Sequence, residues 1–570
     1  MAILMDEPRL STSEWSRPLI LLLVAGGLFF LSLDCALLEP EESRYAEIPR
    51  EMLVAGEWVV PQYHGQPYYD KPPLLYWMVM AGYSAFGVHD WTARLAPGLC
   101  GVLMVLATYV WGRGTLGARA AFYGALVLAL CSRFIYLCRF VATDAPLSLC
   151  VVVALGCAHR ALVGSAFRWR WWLASGFACG LGLLAKGPVT FLLVGVPVLL
   201  YLLANVQAVR PSWRAVIALL GGALLTASPW YIAVMHRDPG FAEYFFWKHH
   251  VVRYVAPFDH AKPFWFYLPD FFTGTMPWCL LLVPLSIRLW KSRAELFERR
   301  PPEILLPLFA AVWCVAFFSL SGSKRVGYVL PAFAPLALVI GEQVDHLLRR
   351  GWQDRAAPGW MQALAVSAFL MGSAAAVGLT AFAYWPTAIG ATVAITLLLL
   401  GIAMVAVRRR IAPLAGFGIC AALVLAECAI GVGSFLPRYA ERFSMRREVL
   451  EARRDLPAGA GIACYPRGWD SVRFYLQRDD VLVFSESERT TLVAYLDAHA
   501  ETLLFLRDGD ASRKLLEELP STLAVEQQSQ QGSTRAFRVY RAGALAASDR
   551  DKYKAVETIR EIPAYSLRSE

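Results

Sequence analysis

The chain has 570 residues, of which 57% are hydrophobic and only 17% are charged. Soluble globular proteins carry about 25% charged residues, so this composition excludes a soluble globular protein and predicts a multi-spanning membrane protein. The formal net charge of +9 does not predict nucleic-acid binding, because the excess Lys and Arg residues lie in short loops between apolar runs and no nucleic-acid-binding motif accompanies them.

The first apolar run begins at Pro18, and no signal-peptide cleavage pattern follows it. A membrane-spanning helix needs about 20 mainly apolar residues, and runs of this kind predict about thirteen spans. The spans are predicted near residues 18–36, 93–111, 119–136, 145–163, 173–186, 188–205, 214–235, 273–290, 304–320, 328–345, 359–384, 387–406 and 413–435. We therefore predict an α-helical polytopic membrane protein with an uncleaved first span.

Arg and Lys residues cluster in alternate loops, for example at Arg168, Arg170 and Arg288. The positive-inside rule places such loops in the cytoplasm. The long loops 37–92 and 236–272 then lie on the opposite, periplasmic face, and an odd number of spans places the polar tail there too. Both loops mix aromatic with charged residues, which predicts amphipathic helices lying at the membrane interface.

The polar tail, residues 437–570, is predicted to be a small α/β domain that follows a transmembrane domain over residues 1–436. Strands are predicted at 461–465, 481–484, 502–506, 523–526 and 535–540, and helices at 446–456, 469–477, 488–498 and 511–519. Because helices alternate with strands, we expect a mostly parallel sheet.

The first long loop begins with a group of ionisable residues: Glu41, Glu42, Arg44, Tyr45 and Glu47. Charged groups at a membrane boundary are costly, so they usually pair, touch water or bind a charged ligand. Glycosyl transfer needs carboxylates near the reacting sugar carbon and cations near a departing phosphate. The alternative is a solvated helix start, where acidic residues are favoured by the helix dipole.

Further candidates lie on the same predicted face. Tyr68, Asp70 and Lys71 precede two prolines, and Lys71 would present a point charge to a phosphate; the alternative is an interfacial anchor of Tyr and Lys. Asp144, near Arg139, lies at the edge of an apolar run, where an ionisable residue is a functional candidate, although Asp also caps helices well.

Two basic groups complete the set of candidates. Arg253 is a candidate phosphate ligand, while His249 and His250 are metal candidates that would need a third ligand such as Asp70 or Glu42. Lys324 lies in the glycine- and serine-containing segment Ser321–Tyr328, which is suited to holding a phosphate. The sequence requires no cofactor, and a divalent metal ion is left open.

Several of these segments resemble the lipid A aminoarabinose transferases, which belong with the protein O-mannosyltransferases among the multi-spanning GT-C glycosyltransferases. The resembling segments are Pro40–Ile48, Arg50–Leu53, Gly56–Trp58, Asp70–Pro72, Asp144–Pro146, Lys186–Pro188, Tyr244–Arg253, Phe264–Tyr267, Pro277–Trp278, Phe317–Ser319, Lys324, Tyr328 and Phe333–Ala337. Glu41 stands where the family carries Asp, and Asp70 stands where it carries Glu. The carboxylates are thus kept while the lengths of their side chains differ.

The resemblance implies a GT-C fold and a reaction at the periplasmic face of a Gram-negative inner membrane. The enzyme would move 4-amino-4-deoxy-L-arabinose from undecaprenyl phosphate to lipid A phosphates, with inversion, in a pathway that confers polymyxin resistance. The implied catalytic residues are Glu41, Glu42 and Asp144, and the implied donor-phosphate or substrate ligands are Arg44, Tyr45, Tyr68, Asp70, Lys71, Arg253, Lys324 and Tyr328.

The expected partners are the undecaprenyl-phosphate-linked sugar, lipid A and membrane lipids, and the expected state is a monomer. A GT-C transferase for another polyprenyl-phosphate sugar or a protein acceptor is an alternative. A lipid or solute transporter is another, although a transporter would place charged groups at the membrane midplane.

Overall fold

The computed structural model describes residues 12–255, 260–291, 302–350, 357–381, 386–406, 412–454, 456–457, 459–507, 509–531 and 534–541. The chain forms two compact units. One unit, the membrane unit, contains Met1–Asp34, Gly56–Pro61 and Pro67–Leu436; the other, the loop–tail unit, contains Cys35–Ala55, Gln62–Gln66 and Pro437–Glu570. The predicted division into two domains at residue 437 stays a prediction. The loop–tail unit contains two segments of the first long loop in addition to the tail.

The membrane unit is built of helices. Its α-helices are Thr12–Phe30, Leu74–Phe86, Asp90–Arg113, Ala118–Ala129, Ser132–Arg139, Asp144–Leu162, Trp169–Lys186, Val189–Ala204, Trp213–Arg237, Arg253–Val255, Tyr267–Thr275, Leu282–Lys291, Pro302–Leu320, Phe333–Arg350, Ala357–Ala381, Thr387–Ala406 and Pro413–Ile430. Its π-helices are Glu243–Val252 and Gly431–Phe435, and its 3₁₀-helices are Trp278–Leu281 and Val326–Ala332.

Every predicted span overlaps one of these helices or a bent pair of them. Eight helices among the described residues are long and apolar enough to cross a membrane, and the number rises to ten if each of two bent pairs is one span. The predicted polytopic helical fold is therefore confirmed. The predicted count of about thirteen is not confirmed, because the helices Thr12–Phe30, Trp169–Lys186 and Val189–Ala204 are shorter or less apolar than the other spans.

Small residues let the helices of the membrane unit approach closely. A Cβ atom added to Gly341 would lie 2.3 Å from the backbone nitrogen of Gly124, and one added to Gly176 would lie 2.7 Å from the carbonyl oxygen of Leu219. Such backbone-to-backbone packing is typical of helices in lipid, where close van der Waals contact replaces the hydrophobic effect as the cause of helix association. Substitution of either glycine would therefore force two helices apart.

The loop–tail unit contains a sheet and short helices. Its helices are Glu41–Ala55, Leu436–Phe443, Arg446–Arg453, Asp470–Leu476, Glu486–Glu488, Arg489–Ala498 and Asp510–Glu517, and its strands are β3 (Gly461–Tyr465), β4 (Leu482–Val483), β5 (Glu501–Arg507), β6 (Leu523–Gln531) and β7 (Thr534–Arg541). A separate two-stranded pair joins β1 (Gln62–Tyr63) to β2 (Gln66–Pro67). Leu436 and Pro67 lie at the boundaries of the two units.

The sheet has the order β4-β3-β5-β7-β6. Strand β3 is parallel to β4 and to β5, with Ala463 beside Leu482 and Leu504, whereas β7 is antiparallel to both β5 and β6. The expectation of a mostly parallel sheet was therefore wrong. A parallel neighbour needs a long crossover connection, and β6 and β7 follow each other with only two residues between them, so they pair as a hairpin.

Glu448 gives the loop–tail unit a pH-dependent stability. The residue is 1% exposed, and neither of its carboxylate oxygens has a hydrogen-bond partner among the described residues. Burial raises the pKa of Glu448 to about 7 from 4.5. Because the folded protein holds this proton more tightly than the unfolded chain, the stability that Glu448 contributes is fully present below pH 4.5 and is lost as the pH rises to about 7.

This loss should be on the order of 2–3 kcal/mol, and thermal unfolding of the full chain at about pH 5 and about pH 8 measures it. The variant E448Q should be more stable than the wild type at the higher pH and should show a smaller change between the two. The matched control is E451Q, because the Glu451 side chain is 42% exposed. A wild-type pH dependence in E448Q would contradict the assignment.

Candidate active site

A carboxylate and an ammonium meet at the ends of two apolar helices of the membrane unit. Asp144 is the first residue of Asp144–Leu162, and Lys186 is the last residue of Trp169–Lys186. Their Oδ1 and Nζ atoms lie 2.5 Å apart, and both side chains are less than one fifth exposed. Helix dipoles favour an anion at a helix start and a cation at a helix end, so the sequence places each charge where its own helix stabilises it.

Tyr328 and Gly327 close this pair on one side. The Lys186 Nζ atom lies 4.2 Å from the centroid of the Tyr328 ring, within cation–π distance. A Cβ atom on Gly327 would lie 2.6 Å from Asp144 Oδ2, so only glycine lets the backbone approach the carboxylate. We call Asp144, Lys186, Gly327 and Tyr328 the Asp144 cluster.

Substitution of Gly327 by Ala is expected to displace the Asp144 carboxylate and to reduce activity by about tenfold or more, because a misplacement of about 1 Å in a site can cost 10². The measurement is the rate of the proposed sugar transfer described below. G26A is the matched control, since a Cβ at Gly26 meets nothing within 4 Å. Equal activity in both variants would show that the close approach at Gly327 is unimportant.

Asp70 is the centre of a second polar group in the membrane unit, the Asp70 cluster. Its Oδ1 atom accepts a hydrogen bond from Tyr244 Oη at 2.6 Å and lies 3.2 Å from His249 Nε2. Lys71 Nζ donates to the backbone carbonyl of Asp70 at 2.9 Å. The π-helix Glu243–Val252 supplies both Tyr244 and His249, so the two long loops predicted from the sequence meet here.

Electrostatics keep Asp70 ionised. Burial acts to raise its pKa, but the hydrogen bond from His249, the charges of Lys71 and His249, and the Tyr244 hydroxyl outweigh burial and lower it. An ionised carboxylate beside a lysine ammonium can hold an amino sugar or orient a cation next to a phosphate. This chemistry fits the predicted ligand roles of Asp70 and Lys71.

The predicted metal ligands are partly brought together. Asp70 and His249 are close enough to share an ion, but the side chain of His250 lies outside the described residues. Zinc sites use three or four protein ligands, and two are placed here, so a metal at this position stays a prediction. Glu47, Glu51 and Asp479 form the one acidic group with metal-like spacing in the described part of the chain, and there the Arg50 guanidinium binds both Glu47 and Asp479.

Lys324 is turned towards backbone carbonyl groups. Its Nζ atom donates to the carbonyls of Lys262, at 3.1 Å, and of Ser321, and the residue is 4% exposed. Burial lowers the pKa of Lys324. The Nη2 atom of the adjacent Arg325 lies 2.6 Å from His260 Nε2. A phosphate-binding role for Lys324 is not tested by these contacts and would require its ammonium to face a ligand instead of the loop carbonyls.

The candidates at the start of the first long loop, from Glu41 to Glu47, lie in the loop–tail unit. Glu41 and Glu42 start the helix Glu41–Ala55. Glu42 is 1% exposed, and its Oε2 atom accepts from the backbone nitrogen of Leu38 at 3.0 Å, so it stabilises the chain before the helix. Tyr45 is 6% exposed, whereas the Arg44 side chain is 31% exposed.

Two ion pairs join this loop helix to the tail, and a third lies within the helix. Arg44 Nε lies 3.5 Å from Asp470 Oδ2. Arg50 donates two hydrogen bonds to Glu47, at 2.7 and 2.8 Å, and also pairs with Asp479. Burial raises the pKa of Glu47, and the Arg50 guanidinium opposes that rise.

The remaining predicted site residues are Tyr68 and Arg253, and Arg139 was considered beside Asp144. Tyr68 donates its backbone N–H to the carbonyl of Pro61 at 2.8 Å, and the side chain of Arg253 lies outside the described residues. Arg139, considered together with Asp144, is 2% exposed and donates to the carbonyls of Leu28, Phe29 and Ser32. Arg139 therefore caps the end of the first helix, and its position is explained by structure alone.

Comparison of the sequence with known proteins identifies relatives of this chain. Residues 70–232 match the family described as dolichyl-phosphate-mannose-protein mannosyltransferase. Curated relatives named undecaprenyl phosphate-alpha-4-amino-4-deoxy-L-arabinose arabinosyl transferase include one from Pseudomonas fluorescens, 31% identical over 384 residues, which are 65% of this chain and 64% of the relative. The relative from Erwinia tasmaniensis is 35% identical over 313 residues, 54% of this chain and 55% of the relative. The match thus spans less than two thirds of the length of these relatives.

The crystal structure of ArnT from Cupriavidus metallidurans bound to undecaprenyl phosphate matches with a TM-score of 0.77, at 22% identity, and the match covers 94% of this chain and 99% of that chain. The chain has the fold of ArnT. The apo structure of the same ArnT gives a TM-score of 0.74. These comparisons confirm the predicted resemblance to the aminoarabinose transferases and the predicted GT-C-like fold.

Within this ArnT fold, the prediction of site residues omitted Lys186 and Asp470. Lys186 had a signal in the sequence, because it is an ionisable residue at the end of an apolar run and belongs to one of the resembling segments. Asp470 had none. Its pairing with Arg44 joins residues more than 400 positions apart, and no local pattern predicts such a contact.

Proposed function

We propose that the chain is an integral membrane glycosyltransferase that moves 4-amino-4-deoxy-L-arabinose from undecaprenyl phosphate to phosphate groups of lipid A. The observation that carries the proposal is the 31–35% identity with curated proteins named for transfer of this sugar from undecaprenyl phosphate. The ArnT fold supports it, and so do the two polar clusters of the membrane unit.

The chemistry can be derived from the charged groups. When the bond between the sugar carbon and the donor phosphate breaks, negative charge grows on the departing phosphate, and a cation such as Lys71 stabilises it. The acceptor phosphate is already ionised near neutral pH, so no strong base is needed. The carboxylates of Asp70 and Asp144 instead suit binding of the amino group of the sugar and stabilisation of positive charge at its reacting carbon. Attack opposite the leaving phosphate inverts that carbon.

We propose that the reaction takes place at the periplasmic face of a Gram-negative inner membrane. The positive-inside arrangement of loop charges supports this orientation. Both substrates are lipids, so a membrane-embedded enzyme brings them together within the bilayer. Adding an amino sugar to a lipid A phosphate reduces the negative charge of the outer surface, which lowers attraction for cationic peptides such as polymyxin. The enzyme would act as a monomer and would not bind nucleic acid.

A protein acceptor, or another polyprenyl-phosphate sugar, is the second candidate. The observation that favours it is the match of residues 70–232 to the mannosyltransferase family. The two candidates differ in substrates but share the donor type, so one assay with exchanged substrates separates them.

The test is a transfer assay with the purified full chain in lipid nanodiscs. Labelled undecaprenyl-phosphate aminoarabinose is supplied with lipid A, and parallel samples contain a polyprenyl-phosphate mannose or a Ser- and Thr-containing peptide. Label on lipid A, and none on the peptide, supports the proposal. Label on the peptide, or transfer only from the mannose donor, would favour the second candidate, and no transfer in any sample would refute both.

A further inference from the structure

The buried carboxylate of Asp470, in the tail, contacts side chains from two segments of the first long loop. Asp470 accepts a hydrogen bond from Tyr63 Oη at 2.7 Å and lies 3.1 Å from His64 Nε2 and 3.5 Å from Arg44 Nε. The Asp470 side chain is only 6% exposed. All these residues belong to the loop–tail unit, and Asp470 begins the helix Asp470–Leu476.

The same contacts restrict the orientation of Arg44. Its guanidinium carbon lies 5.5 Å from the centroid of the Tyr63 ring, and the Tyr63 ring is itself stacked on His64 with centroids 3.9 Å apart. Arg44 is thus held by a carboxylate and by an aromatic ring, while 31% of its side chain stays exposed. Holding a long cationic side chain in one orientation lowers the entropy that binding an anion would otherwise cost.

Other contacts fix the backbone of the loop helix without involving Asp470. Tyr475 Oη accepts a hydrogen bond from the backbone N–H of Leu37 at 2.9 Å. Glu39 Oε1 accepts from the backbone N–H of Ser471 at 2.7 Å, and Arg50 pairs with Asp479. Neutralising Asp470 should therefore leave the loop helix in place and change mainly the freedom of Arg44.

We infer that Asp470 is a positioning residue that holds Arg44 in the orientation required to bind the donor phosphate. The inference rests on the proposed function and gives the polar tail a role in it. The tail supplies the carboxylate that holds a phosphate-binding cation in place. Asp470 itself does not contact the reacting atoms. Asp470 would act entirely through Arg44, so its effect should vanish when Arg44 is absent.

A double-mutant cycle tests this dependence. Dissociation constants for undecaprenyl phosphate and KM values for the donor are measured for the full chain and for D470N, R44A and D470N/R44A. Each single variant is expected to weaken donor binding by about tenfold, and the double variant by about tenfold as well, because coupled residues are not additive. The KM for lipid A should not change. The matched control is D480N, since Asp480 pairs with Arg478 on the exposed surface of the same unit.

Additive losses, about a hundredfold in the double variant, would overturn the inference, as would unchanged donor binding in D470N. If D470N does not fold, D470E serves instead: it keeps the charge but moves the carboxylate by one methylene. D470E should weaken donor binding in the wild-type background and have no effect in the R44A background, and equal effects in both would overturn the inference. Failure of the proposed function is distinguishable, because the wild type itself would then not transfer the sugar to lipid A, whereas the binding of undecaprenyl phosphate by the four proteins tests Asp470 and Arg44 separately.

Discussion

Replacing Asp144 by Asn should lower kcat/KM for the proposed sugar transfer by about 10²–10³, which is the usual loss when one preorganised charged contact is removed from an active site. The carboxylate is held 2.5 Å from Lys186 Nζ and within the space that Gly327 leaves open. Asparagine keeps the size of the side chain and removes the charge, so the loss would measure electrostatics and not packing.

The pair should also respond as a unit. K186M should reduce activity by a similar factor, and D144N/K186M should be little worse than either single variant, because each single change leaves an uncompensated charge. The matched control is the Arg288–Glu342 pair of the same unit, whose side chains are each 23% exposed. E342Q should leave activity unchanged. Full activity in D144N, with unchanged thermal stability, would exclude the Asp144 cluster from catalysis.

Replacing Asp70 by Asn is expected to have an effect of comparable size, about 10²–10³ in kcat/KM. The variant removes the negative charge next to His249 and Lys71 and leaves the Tyr244 hydroxyl with a weaker acceptor. Asp238 offers a closely matched control, because it accepts a hydrogen bond from Tyr69 Oη at 2.6 Å, the same distance as the Tyr244 hydrogen bond to Asp70. D238N should therefore lose far less activity than D70N, and equal losses would contradict a specific role for Asp70.

The lowered pKa of Asp70 adds a second readout. A carboxyl group with a lower pKa in the folded protein than its ordinary 3.8 stabilises the fold above that value, and the contribution is lost as the pH falls through the folded pKa. The wild type should thus be more stable than D70N near neutral pH, and the difference should shrink only in strong acid. Thermal unfolding of both proteins over a pH series measures this difference.

Local patterns predicted much of the fold. The strand Gly461–Tyr465 was predicted with its observed bounds, because a short apolar run between turn-forming residues is a strong strand signal. The direction of β7 was not predicted, since it depends on how the hairpin with β6 docks beside β5 and not on any periodicity. The span predicted at 273–290 is bent by 98° between Tyr267–Thr275 and Trp278–Trp290. The bend lies at Pro277, because proline cannot continue a helix.

The candidate site divides in a similar way. Asp144 was predicted because an ionisable residue at the edge of an apolar run is costly, and the structure supplies its partner, Lys186. Lys324 has the residue type expected of a phosphate ligand, but its ammonium meets the carbonyls of Lys262 and Ser321. Only the folded loops determine whether a predicted cation faces a ligand or its own backbone.

The chain passes between the two compact units at five points, next to Asp34, Ala55, Pro61, Gln66 and Leu436. A protein truncated before residue 437 would therefore retain the helix Glu41–Ala55 but lose Asp470, Tyr475 and Asp479, against which that helix is held. The same interleaving constrains hybrids between related proteins. Residues 35–55, residues 62–66 and the tail have to come from one parent, because a crossover at residue 437 alone would combine parts of one compact unit from two different proteins.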